Sequence, residues 1–281
     1  MIRRPPRSTL DRSSAASDVY KRQKWGSMMP FVTSAEKARS ERKAIDVLGQ
    51  EYFLSPYVGS APKRGQYVPG NEKNDDGLPQ GFLVEQPPNS VTRPHFHNHE
   101  QFQLFVGGSA HMGKKATPPF SLHYVKGHTP YGPITAGPEG VTYFTLRARW
   151  DTGAKYMPES RDLLKKSSKK HKMVAGIGVP ELSELSQLKV CGQSSVMQVD
   201  EEGIGAYLYS IPPKGLAQLD IPTAGGGQYS IVLRGSILSN GQELSELSGV
   251  YRNFDEEELE VEGGADGAAV LLMQFSDDLV P

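Results

Sequence analysis

Three histidines at alternate positions, His95, His97 and His99, run directly into Gln101 and Gln103 within the stretch RPHFHNHEQFQLFVGG of residues 93–108. In an extended strand alternate side chains share a face, so these five groups are expected on one side and Phe96, Phe102, Leu104 and Val106 on the other. Same-face neighbours stand roughly 7 Å apart, and two imidazoles at that spacing can tilt onto one metal ion. The chemistry on offer is ligation by neutral imidazole nitrogen. The alternative is a polar barrel mouth whose histidines meet only water.

The stretch resembles the first motif of the cupin superfamily, G-x5-H-x-H-x(3,4)-E-x6-G. His95 and His97 fall on its two histidines, Gln101 falls on its glutamate, and Gly108 follows after six residues. The second motif, P-x-G-x2-H-x3-N, is echoed by GHTPYGPI at 127–134, where Tyr131 stands in place of the third histidine. The resemblance implies a jelly-roll barrel holding one divalent transition metal (Fe, Mn, Ni, Cu or Zn), with His95, His97 and Gln101 as ligands. His123, on the strand leading into the second motif, is a replacement ligand or a neighbour that supports one.

A neutral glutamine leaves more positive charge on an ion than glutamate would, which favours a stronger Lewis acid. Tyr131 ligates if deprotonated, or works beside the metal as a general acid or base. Deprotonation requires its pKa, about 10 when unperturbed, to fall. His99 could add a ligand if the strand stays regular, and Glu100 could reach the metal only across a bulge. His111 and His128 read as surface or loop residues. Arg93, Arg147 and Arg149 could pair with a substrate carboxylate, but their charge places them on the exposed surface.

The elements that must position these groups are mostly strands. Residues 34–49, SAEKARSERKAIDVLG, read as one helix from an N-cap at Ser34 to a stop at Gly49, an appendage for packing or for a homodimer. From Tyr52 onward, short apolar runs are punctuated by Gly, Pro and Asn, the texture of an all-β sandwich or barrel. Residues 65–81 read as a loop. In 141–150, Tyr143, Thr145, Arg147 and Arg149 alternate with Phe144, Leu146 and Ala148, the pattern of a half-buried strand. A short helix is expected near 159–165. The basic run KKSSKKHK at 165–172 lacks aromatic interleaving and reads as a solvated linker.

The chain then repeats itself. QFQLFVGGS at 101–109 is echoed by QYSIVLRGS at 228–236, an offset of 127 that also maps Tyr124 onto Tyr251 and Gly140 onto Gly267. In the second copy the His95 and His97 positions fall near Gln218 and Asp220, and Tyr131 maps to Glu258. No histidine lies beyond His171. Carboxylates and amides alone suit transition metals poorly, so this copy is read as a degenerate, structural domain. The organisation expected is a leader at 1–28, a first cupin barrel with the metal site at 29–158, a linker at 159–180 and a second barrel at 181–281. Residues 1–23 resemble a translated sequencing-library adaptor.

The 281 residues carry 31 basic and 32 acidic side chains, a net charge of −1, which suggests neither a nucleic-acid partner nor an anionic membrane. One cysteine, Cys191, excludes an intramolecular disulfide and fits a reducing cytoplasm. The expected fold class is all-β, two jelly-roll barrels in tandem with minor helices at the N-terminus and in the linker. The resemblance implies a metal-dependent enzyme acting on a small organic substrate, most often by dioxygenation. Two alternatives are a lyase or isomerase using Tyr131 as acid or base, and a non-catalytic ligand-binding protein. In a third, structural reading, paired barrels would merely dimerise.

Overall fold

A computed structural model describes residues 30–61, 65–221 and 225–277. The leader expected at 1–28 lies outside them. Two antiparallel jelly-roll barrels follow one another. The first is built on a nine-stranded sheet whose central strands are Gln101–Met112, Ile134–Arg147 and Gln80–Gln86. The second uses eight strands around Gln228–Ser239, Leu259–Gln274 and Gly205–Ile211. Among the described residues no helix is long and apolar enough to cross a membrane.

The duplication is legible in the backbone. Gln101–Met112 and Gln228–Ser239 both run 12 residues. Gly108 and Gly235 take φ of 65° and 68°, and Gly140 and Gly267 take 80° and 81°. These glycines are required. A Cβ on Gly108 would stand 2.2 Å from the Gly140 carbonyl oxygen, and one on Gly235 would stand 2.1 Å from that of Gly267.

The helix expected over 34–49 is only half present. Ser34 does cap it, accepting from the Lys37 N–H at 3.2 Å, but the helix spans Ala35–Ser40 alone. The strand Lys43–Val47 replaces the rest, because Ile45 and Val47 alternate towards the barrel and Leu48-Gly49, both at positive φ, turn the chain into a hairpin with Gln50–Val58. The short helix expected near 159–165 is a single 3-10 turn, Arg161–Leu163. Within the basic run, Lys170 and Lys172 pair with Asp200 of the second barrel at 3.1 and 2.7 Å. The run also leads into a strand, His171–Val174, paired with Ser121–Val125 of the first barrel. Phe31–Thr33 pairs with Gly249–Arg252 of the second barrel, so both ends of the first unit are tied in.

The alternating strands bury both faces. Phe102, Leu104, Phe144 and Leu146 form one buried cluster with Tyr229, Ile231, Leu271 and Phe275 of the second barrel. The apolar face therefore glues barrel to barrel, and the polar face turns inward. Arg147, expected on the surface, is 2% exposed for that reason. The second barrel's interior is aliphatic, with Val232, Ile237, Val250, Val270 and Leu272 buried together. The offset of 127 turns His123, Thr145 and Arg147 into Val250, Leu272 and Gln274.

Candidate functional site

The histidine stretch is not one regular strand. It pairs as His95–Phe96 against Lys155–Tyr156, bends through 97–100 and resumes at Gln101. Asp151 causes the bend, its Oδ2 accepting the Asn98 N–H at 2.8 Å and the His99 N–H at 3.4 Å. His99 and Glu100 are thereby turned away from His95 and His97 onto a separate cavity of about 190 Å³ shared with Lys126, Arg149 and Ser276. Glu100 accepts from the Tyr124 hydroxyl and from the Ser276 N–H and hydroxyl, joining the two barrels instead of approaching the imidazoles. His111 is exposed and His128 sits half-buried in a loop, as expected of both.

His95 and His97 stay together. Their rings lie 5.2 Å apart between centroids and perpendicular, at 89°. With metal–nitrogen bonds of about 2.0–2.1 Å, an ion shared by two imidazoles sets their centroids roughly 5 Å apart. Each ring is tethered through Nδ1, His95 to the Arg93 carbonyl and His97 to the Asp151 carboxylate, both at 2.7 Å. Such tethers fix the tautomer that keeps the Nε2 lone pair for a ligand. Burial drives both rings towards neutrality, to pKa values of about 3 for His95 and about 4 for His97, with the neighbouring His97 and Arg147 charges adding to it respectively. Burial alone would raise the Asp151 carboxyl, but His97, Arg147 and Lys155 hold it below its ordinary value.

Tyr131 is brought to the pair by backbone bonds in both directions with His95, at 3.1 and 3.0 Å. Its ring stands 4.5 Å from that of His95, and its hydroxyl oxygen accepts from the Gln101 amide nitrogen. The phenolic proton is therefore left to donate elsewhere. Burial pushes the Tyr131 phenol above 10, against the pull of Arg147 and Gln101, so among the roles expected for it the arrangement favours proton donor. His123 is buried one layer away. Its Nδ1 meets the Gln103 side-chain oxygen at 3.0 Å and its ring lies 5.2 Å from Tyr131, so it backs Tyr131. Burial lowers its pKa to about 3.

Arg147 is the residue that sequence reasoning misplaced. Its Nη1 donates to Gln80 Oε1 at 2.6 Å and its Nη2 to Gln101 Oε1 at 2.7 Å. Nη2 also lies 3.2 Å from each ring nitrogen of His97, and equal distances set it over the ring, out of line with either lone pair. Asp151 was not singled out from sequence at all. A polar-face parity shared by Thr145, Arg147 and Gln103 was the available signal for Arg147, since Thr145 and Gln103 are register partners. The cavity there, of about 70 Å³, has His95, His97, Gln103, Tyr131, Thr145 and Arg147 among its polar lining and Leu54, Phe82 and Val84 among its apolar lining.

The donors present fit a divalent transition metal bound by two imidazoles and completed by neutral oxygen. His95 and His97 have the spacing, tether and charge state for it, and the Gln101 carbonyl oxygen keeps a second lone pair beside its bond to Arg147. Among the described residues no group of three or more His, Cys, Asp or Glu converges, so the set contains no carboxylate ligand.

No family model and no curated protein matches the sequence. Solved structures do. A candidate dioxygenase of Nostoc punctiforme is 10% identical with a TM-score of 0.59, covering 90% of this chain and 85% of that one. An oxalate decarboxylase of Lactobacillus farciminis, solved as a formate complex, is 10% identical with a TM-score of 0.53 over 90% and 87%. A bacterial pirin of Escherichia coli, solved with nickel(II), is 12% identical with a TM-score of 0.50 over 88% and 99%. At these identities the likeness is one of fold alone: two jelly-roll barrels in tandem.

Proposed function

We infer that the first barrel is a metal-dependent enzyme site for a small organic substrate, and that the second barrel is its structural support. The observation carrying this reading is the His95–His97 pair, perpendicular, 5.2 Å apart, buried, neutral and tethered through Nδ1. A bound metal would supply Lewis-acid polarisation of a substrate oxygen or, if redox-active, electron transfer. The chain's own residues do the rest. Asp151 orients His97, Gln101 orients Tyr131, the buried walls exclude water, and Tyr131 delivers a proton from its hydroxyl.

Two reaction classes suit this arrangement. Dioxygenation is the activity that the two-barrel resemblance implies, and a solved neighbour is described as a candidate dioxygenase. Lyase or isomerase chemistry is favoured by Tyr131, whose proton is free to move to substrate. Metal analysis combined with oxygen-electrode measurements across a panel of small substrates separates them. Iron, copper or manganese with substrate-dependent oxygen uptake supports dioxygenation. Turnover under anaerobic conditions supports the proton-transfer class.

A further inference from the structure

We propose that the first-barrel cavity selects a small monocarboxylic acid with a short apolar tail, its carboxylate held by Arg147. The proposal rests on the site reading above and adds the chemical class of its substrate.

Arg147 is a permanent cation inside the barrel, and among the described residues no carboxylate forms an ion pair with it. Of its five N–H donors, two meet the amide oxygens of Gln80 and Gln101, and its buried Nε has no partner. Asp151, a buried acid whose charge Arg147 feels, is engaged by the His97 ring and by the Asn98 and Gly153 N–H groups. Lys155, also buried, adds a second positive charge and donates to the Thr152 hydroxyl. Two buried cations thus stand against one carboxylate, and an uncompensated buried charge is costly unless a ligand neutralises it. A metal on His95 and His97 would enlarge the excess, since none of the donors there is an anion.

Geometry narrows the anion. A guanidinium fork matches a planar carboxylate, and the cavity of about 70 Å³ admits a molecule of few heavy atoms. Beside Tyr52, Thr92, Tyr143, Thr145 and Tyr156, the lining has an apolar part that includes Leu54, Phe82 and Val84. A second carboxylate set against them would be desolvated without a partner, whereas a short alkyl tail is buried favourably.

The test uses butyrate as probe, butyramide as its uncharged isostere and malonate as the dianion. Each is titrated calorimetrically into the full chain, zinc-loaded and after chelation, with metal content measured on both samples. Butyrate is expected to bind at least about tenfold more tightly than butyramide or malonate, because a site with an unpaired charged donor rejects the analogue that cannot satisfy it. Arg147→Gln is expected to bring butyrate down to the butyramide level. Val84→Ala, which leaves the guanidinium untouched, is expected to shift preference from butyrate to hexanoate, and it keeps the proposal testable if the arginine variant does not fold. Equal binding of butyrate and butyramide, tighter binding of malonate, or unchanged butyrate binding in folded Arg147→Gln would overturn it. Discrimination of butyrate in a protein that contains no metal and takes up neither zinc nor iron, manganese, nickel or copper would support the carboxylate site and refute the metal reading. Zinc uptake without discrimination would do the reverse.

Discussion

One carboxylate, Asp151, sets both the ring and the chain of His97: its Oδ1 lies 2.7 Å from His97 Nδ1, and its Oδ2 accepts the N–H of Asn98, the next residue, at 2.8 Å. The ring's tautomer and the bend that carries it are fixed together. Asp151→Asn is expected to lower metal affinity by about 10–100-fold, the usual effect of removing a group that orients a histidine ligand. Competition with a chromogenic chelator measures it. Wild-type affinity in the folded variant would contradict the role given to Asp151.

Acid should weaken the first barrel in a defined window. His95, His97 and His123 are held to about 3, 4 and 3 by burial first, while in the unfolded chain each titrates near 6.5. Between these values the unfolded chain binds more protons than the folded one, so stability is full above pH 6.5 and falls as pH drops below it. By pH 5 each ring removes about 2 kcal/mol, at 1.36 kcal/mol per pH unit. Urea unfolding at pH 7 and pH 5 reads the loss. His123→Gln, which cannot titrate, should flatten the dependence, and an unchanged slope would show that His123 is not held neutral.

Tyr131→Phe keeps the ring that packs on His95 and His123 and removes only the phenolic hydroxyl. Metal content is expected to stay at the wild-type level. Turnover of any substrate that the wild type converts is expected to fall by about 10²–10⁴, the range for losing a positioned proton donor. Wild-type turnover in Tyr131→Phe would remove Tyr131 from the chemistry.

Phe144 is fully buried in the inter-barrel cluster, with its ring edge-on to Tyr57 at 4.9 Å. Phe144→Ala is expected to cost about 3–5 kcal/mol, as large-to-small core changes do. Chemical denaturation measures it. A loss below about 1 kcal/mol would mean that the barrels do not depend on this face for their stability.

Much of this was legible in the sequence. The His-x-His spacing marked His95 and His97, the resemblance of the flanking residues to the cupin motifs added Gln101 and Tyr131, and the offset of 127 foretold the two barrels. Residue parity could show which side chains share a face, but not which face is inside. Phe144 and Leu146 read as facing a core and do so, yet that core belongs to both barrels, so Arg147 points into the first. The bend at 97–100 was illegible for a related reason. Asp151 lies 53 residues from the Asn98 N–H it captures, a long-range bond that no local pattern announces. Helix propensity over 34–49 lost to the hairpin that Ile45 and Val47 complete.

The central claim is that His95 and His97 hold a metal, and elemental analysis by inductively coupled plasma mass spectrometry tests it most directly. Protein purified without a histidine tag is compared with His95→Ala. A stoichiometric divalent transition metal is expected in the wild type, with its loss from the folded variant. An unchanged metal content in His95→Ala, or a folded wild type that neither contains nor takes up a metal, would contradict it.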